Sequence, residues 1–447
     1  MLIEEIKDKT AYDAFAALRH LPMPVFISGW DGRNRRYTFV AASPLSTITT
    51  DGCVTEARDS LSGGVRTFKD PFEALDAVLN ERRYDAAPPF PFSGGAIGFL
   101  TYDLKNIIEP AFARNAIKTT GVPESLIGVY DPIYVFDHND ERGYIVSTGA
   151  DLRRFNEMQG LIKHRKTDKT PPLIKTAGPS TNMTKDAYLR MVGRAKEYIA
   201  AGDIYQINLS QRLSIPIKGD AFALFQRLQE SHPGPFASFM DFNNFQIISN
   251  TPERLLRLTN GLLETEPIKG TRPRGKDLSH DILMIEELKS SLKERAEHVM
   301  IVDLERSDLG RVSVPGSVEV TAFEAIHTYE HLHHMVTTIR SRLKPGTSPA
   351  QALKACFPGG SVTGAPKFRA MEIIDELEPC SRGIYTGSIG WMDFNGNLDF
   401  SMAIRTAIIK DGMLHLHVGG GIVADSVPQE EYDETMLKAQ DFLRSLD

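Results

Sequence analysis

Along the first 165 residues, short runs of apolar and β-branched residues alternate with Gly, Pro and Asp. PVFISG, RRYTFVAASP, IGVYDPIYVFDH and RGYIVSTG are such runs, and the pattern predicts strands. The opening stretch MLIEEIKDKTAYDAFAALRH reads as an amphipathic helix. From Lys166 to Met183 the hydrophobic period is lost in a segment rich in Thr, Lys and Pro, which marks a linker between residues 1–165 and 184–447. Beyond it, KDAYLRMVGRAKEYIAA predicts a helix closed by Gly202, followed by strands at GDIYQINLSQRLSI and FQIISN. Helical period returns over Ser279–Val302 and about Phe368–Glu378.

Three hairpin dipeptides organise the second part: Asn260-Gly261, Asn395-Gly396 and Asp411-Gly412, each between apolar runs. Antiparallel hairpins with helices between them define an α+β class and exclude a doubly wound parallel sheet. If each turn has two residues, positions summing to 521, 791 and 823 face one another. The first sum brings Glu253 and Lys269 to one hairpin end. Strict pairing puts them on opposite faces, and a bulge near Pro252 or Pro267 is needed to align them. The other two sums make a three-stranded meander with Arg405 between Thr386 and Val418.

Composition narrows the class without naming a function. The 447 residues carry a net charge of −7 and 41% hydrophobic residues, enough for a large core and for two or three units by length. Disordered and collagenous classes are excluded. Three cysteines, Cys53, Cys356 and Cys380, supply neither a disulfide framework nor a four-thiolate zinc site. With no signal-peptide pattern and no apolar run long enough to cross a bilayer, the expected location is the cytoplasm. The acidic balance does not suit nucleic acid.

Two acidic pairs, Glu294 with Glu297 and Glu431 with Glu434, are spaced i,i+3 on helical segments, so each pair shares a face. Such pairs occur on solvated helix faces, and they also suit Mg²⁺, which takes one or two carboxylates and keeps some waters. Glu253 beside Lys269 suits a structural salt bridge or a proton donor with a nucleophile. Gly419-Gly420-Gly421 next to Tyr385 and Arg405 suits a flexible strand end or a carboxylate corner with free N–H groups. HTYEH (His327, Glu330, His331) matches the H-x-x-E-H pattern of zinc peptidases in a stretch already crowded with histidine. GGSVTGAPK lacks the Lys that a phosphate loop requires directly after its second Gly.

Taken in order, IISNTPERLL, ETEPIKGTRPRG, KERAEHVMIVDLERSDLGRV, PGGSVTGAPK, RGIYTGSIGW, LDFSMAIRT and GGGIVADSVPQEEYDET resemble the chorismate-utilising enzymes, which include the first components of anthranilate and aminodeoxychorismate synthases and the isochorismate and salicylate synthases. The resemblance implies one large unit, two antiparallel sheets packed as a sandwich with helices outside, in which the Lys166–Met183 seam is internal. It implies that Glu297 and Glu434 bind Mg²⁺, with Glu294 and Glu431 nearby and acting partly through water. It further implies that Glu253 protonates the departing C4 hydroxyl and that His334 lines the ring. Tyr385, Arg405 and Gly419, Gly420 and Gly421 match the corner for the enolpyruvyl carboxylate, and Gly270, Thr271, Thr363 and Lys438 match further substrate contacts.

Family members that form anthranilate read P-I-A-G-T where this chain reads PIKGT, the pattern of those that form 4-amino-4-deoxychorismate on the way to p-aminobenzoate and folate. By that resemblance Lys269 attacks C2 as the C4 hydroxyl leaves, and ammonia then enters C4 and expels the lysine. Arg272 and Arg274, or burial, are expected to keep the amine neutral. Gln206 stands where isochorismate- and salicylate-forming members carry a water-activating lysine. Ser307 replaces the family's usual Asn, and Ser28 in FISG replaces the Glu of the tryptophan-inhibited members. No cysteine sits in a glutaminase elbow, so a separate glutamine amidotransferase subunit is expected to supply ammonia.

Overall fold

The computed structural model describes all residues except 32–33, 85–87, 110–111, 113–119, 166–170, 330–331 and 447. Among the described residues the strands form two antiparallel sheets, one of 13 strands and one of 12. Both parts of the chain enter both sheets. Ser238 pairs with Ile27 in the larger sheet and Trp391 with Ile97 in the smaller, so the predicted halves share one framework.

Alternation along the strands explains the layers. Ile27, Phe39, Val135 and Met240 from the larger sheet meet Ile97, Phe99, Ile389 and Trp391 from the smaller, and this apolar layer joins the sheets. On the outer face of the larger sheet, Leu213, Ile215, Leu414 and Leu416 pack with Phe15, Phe222 and Phe442 of the helices. The outer face of the smaller sheet is covered by the helices holding Leu75, Val302 and Leu353. The sandwich with helices outside is the expected one.

Four local expectations need correction. The first stretch is not one helix: Leu2–Ile6 is a strand paired with Arg142–Ser147, and the helix is Ala11–Leu18. Thr10 stops it in a capping box with Asp13, which satisfies helix-end N–H groups that a longer helix would need for its ladder. The segment predicted over Ser279–Val302 is two helices, Leu278–Ser290 and Leu292–Gly310. Between them Ser291 is extended, and its side chain accepts the Glu294 N–H as an N-cap.

The Asn395-Gly396 loop has three residues, because the Asp393 N–H donates to Asn397 O at 2.8 Å. Pairing therefore slips by one, and Ser388 faces Met402. The predicted meander does not form as one sheet: Leu398–Met402 belongs to the smaller sheet and Thr406–Lys410 to the larger. The chain crosses between them at Arg405, whose φ of +49° turns the backbone. Arg405 thus sits at the crossover and not inside a ladder.

The linker reading is altered too. Its first residues, 166–170, lie outside those described, while Ile174–Lys175 and Ser180–Thr181 pair with the long strand Gln206–Lys218. No helix among the described residues is long and apolar enough to cross a membrane.

Candidate active site

The Asn260-Gly261 turn forms as predicted, with both residues at positive φ and Leu258 opposite Leu263. A register shift between Arg254 and Arg257 then changes the pairing to Arg254 opposite Glu266. The shift falls between Arg254 and Arg257 and not at Pro252 or Pro267 as expected, and by the same count it returns Glu253 and Lys269 to one side. Glu253 is 5% exposed, and Ser361 Oγ donates to its Oε1 at 2.6 Å. Burial pushes its carboxyl up to about 7, although Ser361, the nearby charge of Lys269 and the Ile268 N–H each oppose the shift. Glu253 is therefore an acid still protonated near neutral pH.

Lys269 Nζ lies 3.2 Å from Glu297 Oε2. Arg272 and Arg274, expected to press on the lysine, are engaged elsewhere. Arg272 pairs with Glu294 at 3.0 Å and Arg274 with Asp281 at 2.8 Å. On its other side Lys269 faces the glycine run. A Cβ added at Gly421 would stand 3.2 Å from Lys269 Nζ and 3.0 Å from Gln206 Nε2.

Gly419, Gly420 and Gly421 continue the strand Met413–Ile422, paired in turn with Ser210, Leu209 and Asn208, so this is no frayed end. Close approach explains Gly419 and Gly421, whereas at Gly420 a Cβ would find ordinary van der Waals distances. A Cβ at Gly419 would meet Leu209 O at 2.5 Å and Tyr385 Oη at 2.6 Å, and one at Gly420 would lie 3.4 Å from Glu431 and 3.8 Å from Lys438 Nζ. Lys438 Nζ donates to Gly419 O at 2.9 Å and pairs with Glu434 at 2.7 Å. The ribbon thus has Tyr385 on one side and the helix Pro428–Ser445 on the other.

His334 is buried on the strand Leu332–Arg342. Its Nδ1 is 2.9 Å from Thr271 Oγ1, while Nε2 has no hydrogen-bond partner among the described residues. Burial, then the charge of Arg405, drives its pKa down to about 3, so the ring is neutral. Arg405 itself is half-buried at the crossover between the sheets. Gly270 has φ +80°, and a Cβ there would collide with Leu288 at 2.5 Å. Thr363 is buried with its hydroxyl on Gly359 O at 2.9 Å.

Sequence reasoning missed four neighbours. Ser361 holds Glu253. His298, adjacent to Glu297, is buried with its pKa lowered to about 4 by burial and then by Lys269. Glu305, two turns beyond Glu297, binds Thr265 Oγ1 at 2.6 Å and is pushed up to about 8 by burial, with Glu253 adding to the rise. Arg382 packs against Tyr385. Ser361 and Arg382 lie within PGGSVTGAPK and RGIYTGSIGW, where only their order in the motif could have flagged them.

The zinc-peptidase alternative fails on geometry. His327 lies on the strand Glu319–Thr328, whereas the motif needs both histidines on one helix face, and Glu330 and His331 lie outside the described residues. Among the described residues no group of three His, Cys, Asp or Glu side chains is placed to hold a metal. The three cysteines are free thiols, and burial raises that of Cys356 to about 12.

Two antiparallel sheets carrying a buried acid, an amine and a glycine strand in these sequence motifs define one class of enzyme. The chain is a member of the chorismate binding enzyme family, whose profile matches residues 28–444. Aminodeoxychorismate synthase component 1 of Salmonella typhimurium is 38% identical over 97% of this chain and 95% of its own length. Anthranilate synthase component 1 of Bacillus subtilis is 36% identical over 92% and 84%. The crystal structure of anthranilate synthase component I from Streptococcus pneumoniae superposes with a TM-score of 0.82 at 32% identity, covering 92% of this chain and 93% of that one.

Proposed function

We propose that this enzyme converts chorismate and ammonia to 4-amino-4-deoxychorismate, the reaction named in its aminodeoxychorismate synthase relatives. The observation that carries this reading is the bulge that sets buried Glu253 beside Lys269 at the glycine ribbon. Anthranilate formation needs no amine at this position, so Lys269 favours the first reading over the second.

In the proposed cycle, Lys269 Nζ forms a bond to ring C2, the two ring double bonds shift by one position, and the C4 hydroxyl departs as water with the Glu253 proton. Ammonia then bonds to C4, the double bonds shift back, and the C2–N bond breaks to return the amine of Lys269. The proton lost by the incoming ammonia restores Glu253, so the acid ends as it began. Arg405, Tyr385 and the Gly419–Gly421 amides orient the enolpyruvyl carboxylate. His334, Gly270, Thr271, Thr363 and Lys438 line the remainder.

Glu297 and Glu434 supply oxygen-only donors of the kind Mg²⁺ takes, and one or two protein carboxylates suffice for it; Glu294 and Glu431 share their helix faces, although among the described residues no three of these carboxylates are grouped as a metal site. When bound, that ion would neutralise the ring carboxylate. In the structure Glu294, Glu297 and Glu434 each hold a cationic side chain, so Lys269 competes with a cation for Glu297. Lys269→Met is expected to bind Mg²⁺ several-fold more tightly in calorimetry; weaker binding would remove Glu297 from the ligand set. The relatives' numbering as first components, with no glutaminase cysteine here, supports a separate glutamine amidotransferase partner.

One assay tests the product. With chorismate, Mg²⁺ and ammonium but no partner, 4-amino-4-deoxychorismate is expected by chromatography, and accumulation of fluorescent anthranilate would overturn the assignment.

A further inference from the structure

Arg382 is 2% exposed, and all five N–H donors of its guanidinium are used. Nε donates to Glu378 Oε2 at 2.9 Å, and Nη2 to Glu378 Oε1 and to Asn208 O, both at 2.7 Å. Nη1 donates to Val362 O at 3.1 Å and Thr386 Oγ1 at 3.2 Å. The guanidinium also stacks on two tyrosines, 4.8 Å from the ring centre of Tyr102 and 5.6 Å from that of Tyr385. Glu378 in turn accepts from the N–H of Ser210 at 2.8 Å and from its hydroxyl at 3.0 Å, and Ser210 is the residue opposite Gly419.

One side chain therefore joins four segments: the strand beneath the glycine ribbon, the loop that leads into Thr363, the end of the helix Lys367–Leu377, and the Tyr385-Thr386 turn. That turn needs restraint, because Thr386 has a φ of +60°, a conformation costly for a β-branched residue. A buried ion pair is a poor source of net stability compared with an apolar pair of the same volume. What the planar fork does supply is fixed direction, which a lysine cannot.

We propose that Arg382 is a positioning residue that locks Tyr385 and Thr363 against the Gly419–Gly421 ribbon, so that the enolpyruvyl end of chorismate meets a preformed corner. The inference rests on the reading of Tyr385 and Thr363 as substrate contacts, and the controls separate the two. The full chain is compared with Arg382→Lys, with the charge-balanced pair Arg382→Met and Glu378→Met, and with Tyr385→Phe. Chorismate and Mg²⁺ binding are measured by calorimetry without ammonium, KM and kcat with it, and Tm in each case.

The charge-balanced variant is expected to melt within a few degrees of the native enzyme and to bind chorismate at least tenfold more weakly, with a matching rise in KM. Its Mg²⁺ affinity should not change, because none of the four carboxylates touches Arg382. Arg382→Lys, which keeps a charge beside Glu378, is expected to show the same loss and stands in if the double variant does not fold. Native chorismate affinity and KM in the folded variant overturn the proposal. If Tyr385→Phe also binds chorismate as the native enzyme does, the site reading falls with it.

Discussion

Lys269→Ala is expected to lose 4-amino-4-deoxychorismate formation by at least about 10³-fold in kcat, which corresponds to about 4 kcal/mol of barrier. The loss is this large because in the proposed cycle the lysine makes and breaks a bond to the ring. A merely structural salt bridge with Glu297 would be worth far less, since both partners are partly solvated, with side chains 18% and 16% exposed. Chorismate should still bind, because Arg405, Tyr385 and the glycine ribbon are untouched. The variant opens a second channel: with no amine at C2, ammonia can add there directly, and some anthranilate-type product is expected. Product analysis by chromatography with fluorescence detection checks both statements, and native rates of aminodeoxychorismate formation would remove Lys269 from the chemistry.

Glu253→Gln is expected to lower kcat by roughly 10²–10⁴-fold, the range for removal of a general acid. In the native enzyme the acid form must be present, so kcat/KM should fall as pH rises through about 7, the value to which burial pushes this carboxyl. The same shift has a sign for stability. The folded-state pKa of about 7 lies above the ordinary 4.5, so folding binds the proton more tightly. The favourable contribution is complete below 4.5 and is lost as pH rises through 7. Glutamine mimics the protonated form, so Glu253→Gln should match native stability near pH 4 and exceed it by about 3 kcal/mol above pH 8. Denaturant melts at the two pH values, together with rate profiles, read this directly. Equal stability of the two proteins at pH 8 would show that Glu253 is not buried as an acid.

How far the site could be read in the sequence depends on how local each relation is. Glu294 with Glu297, and Glu431 with Glu434, need only helical spacing, and the helices Leu292–Gly310 and Pro428–Ser445 hold them as expected. The Asn260-Gly261 and Asp411-Gly412 turns were legible because each dipeptide selects its own backbone geometry. Asn395-Gly396 was misread by one residue, since the Asp393 side chain accepts the N–H groups of both Asn395 and Asn397 and favours a longer loop. Arg405 was misplaced for a different reason: nothing near it in the chain records that its flanking strands join different sheets.

By itself the sequence determined the α+β class, the antiparallel hairpins, the family motifs and the identity of the acid, the amine and the four carboxylates. The class and hairpins depend on residue type and near spacing, whereas the acid, the amine and the four carboxylates are picked out only by the order of the family motifs. The tertiary structure alone decided where the bulge falls, the close contacts at Gly419 and Gly421, and the hydrogen bonds made by Ser361 and Arg382. The last of these depend on groups more than 100 residues apart, such as Ser361 with Glu253 and Arg382 with Asn208, meeting in a buried space where each polar atom must find a partner.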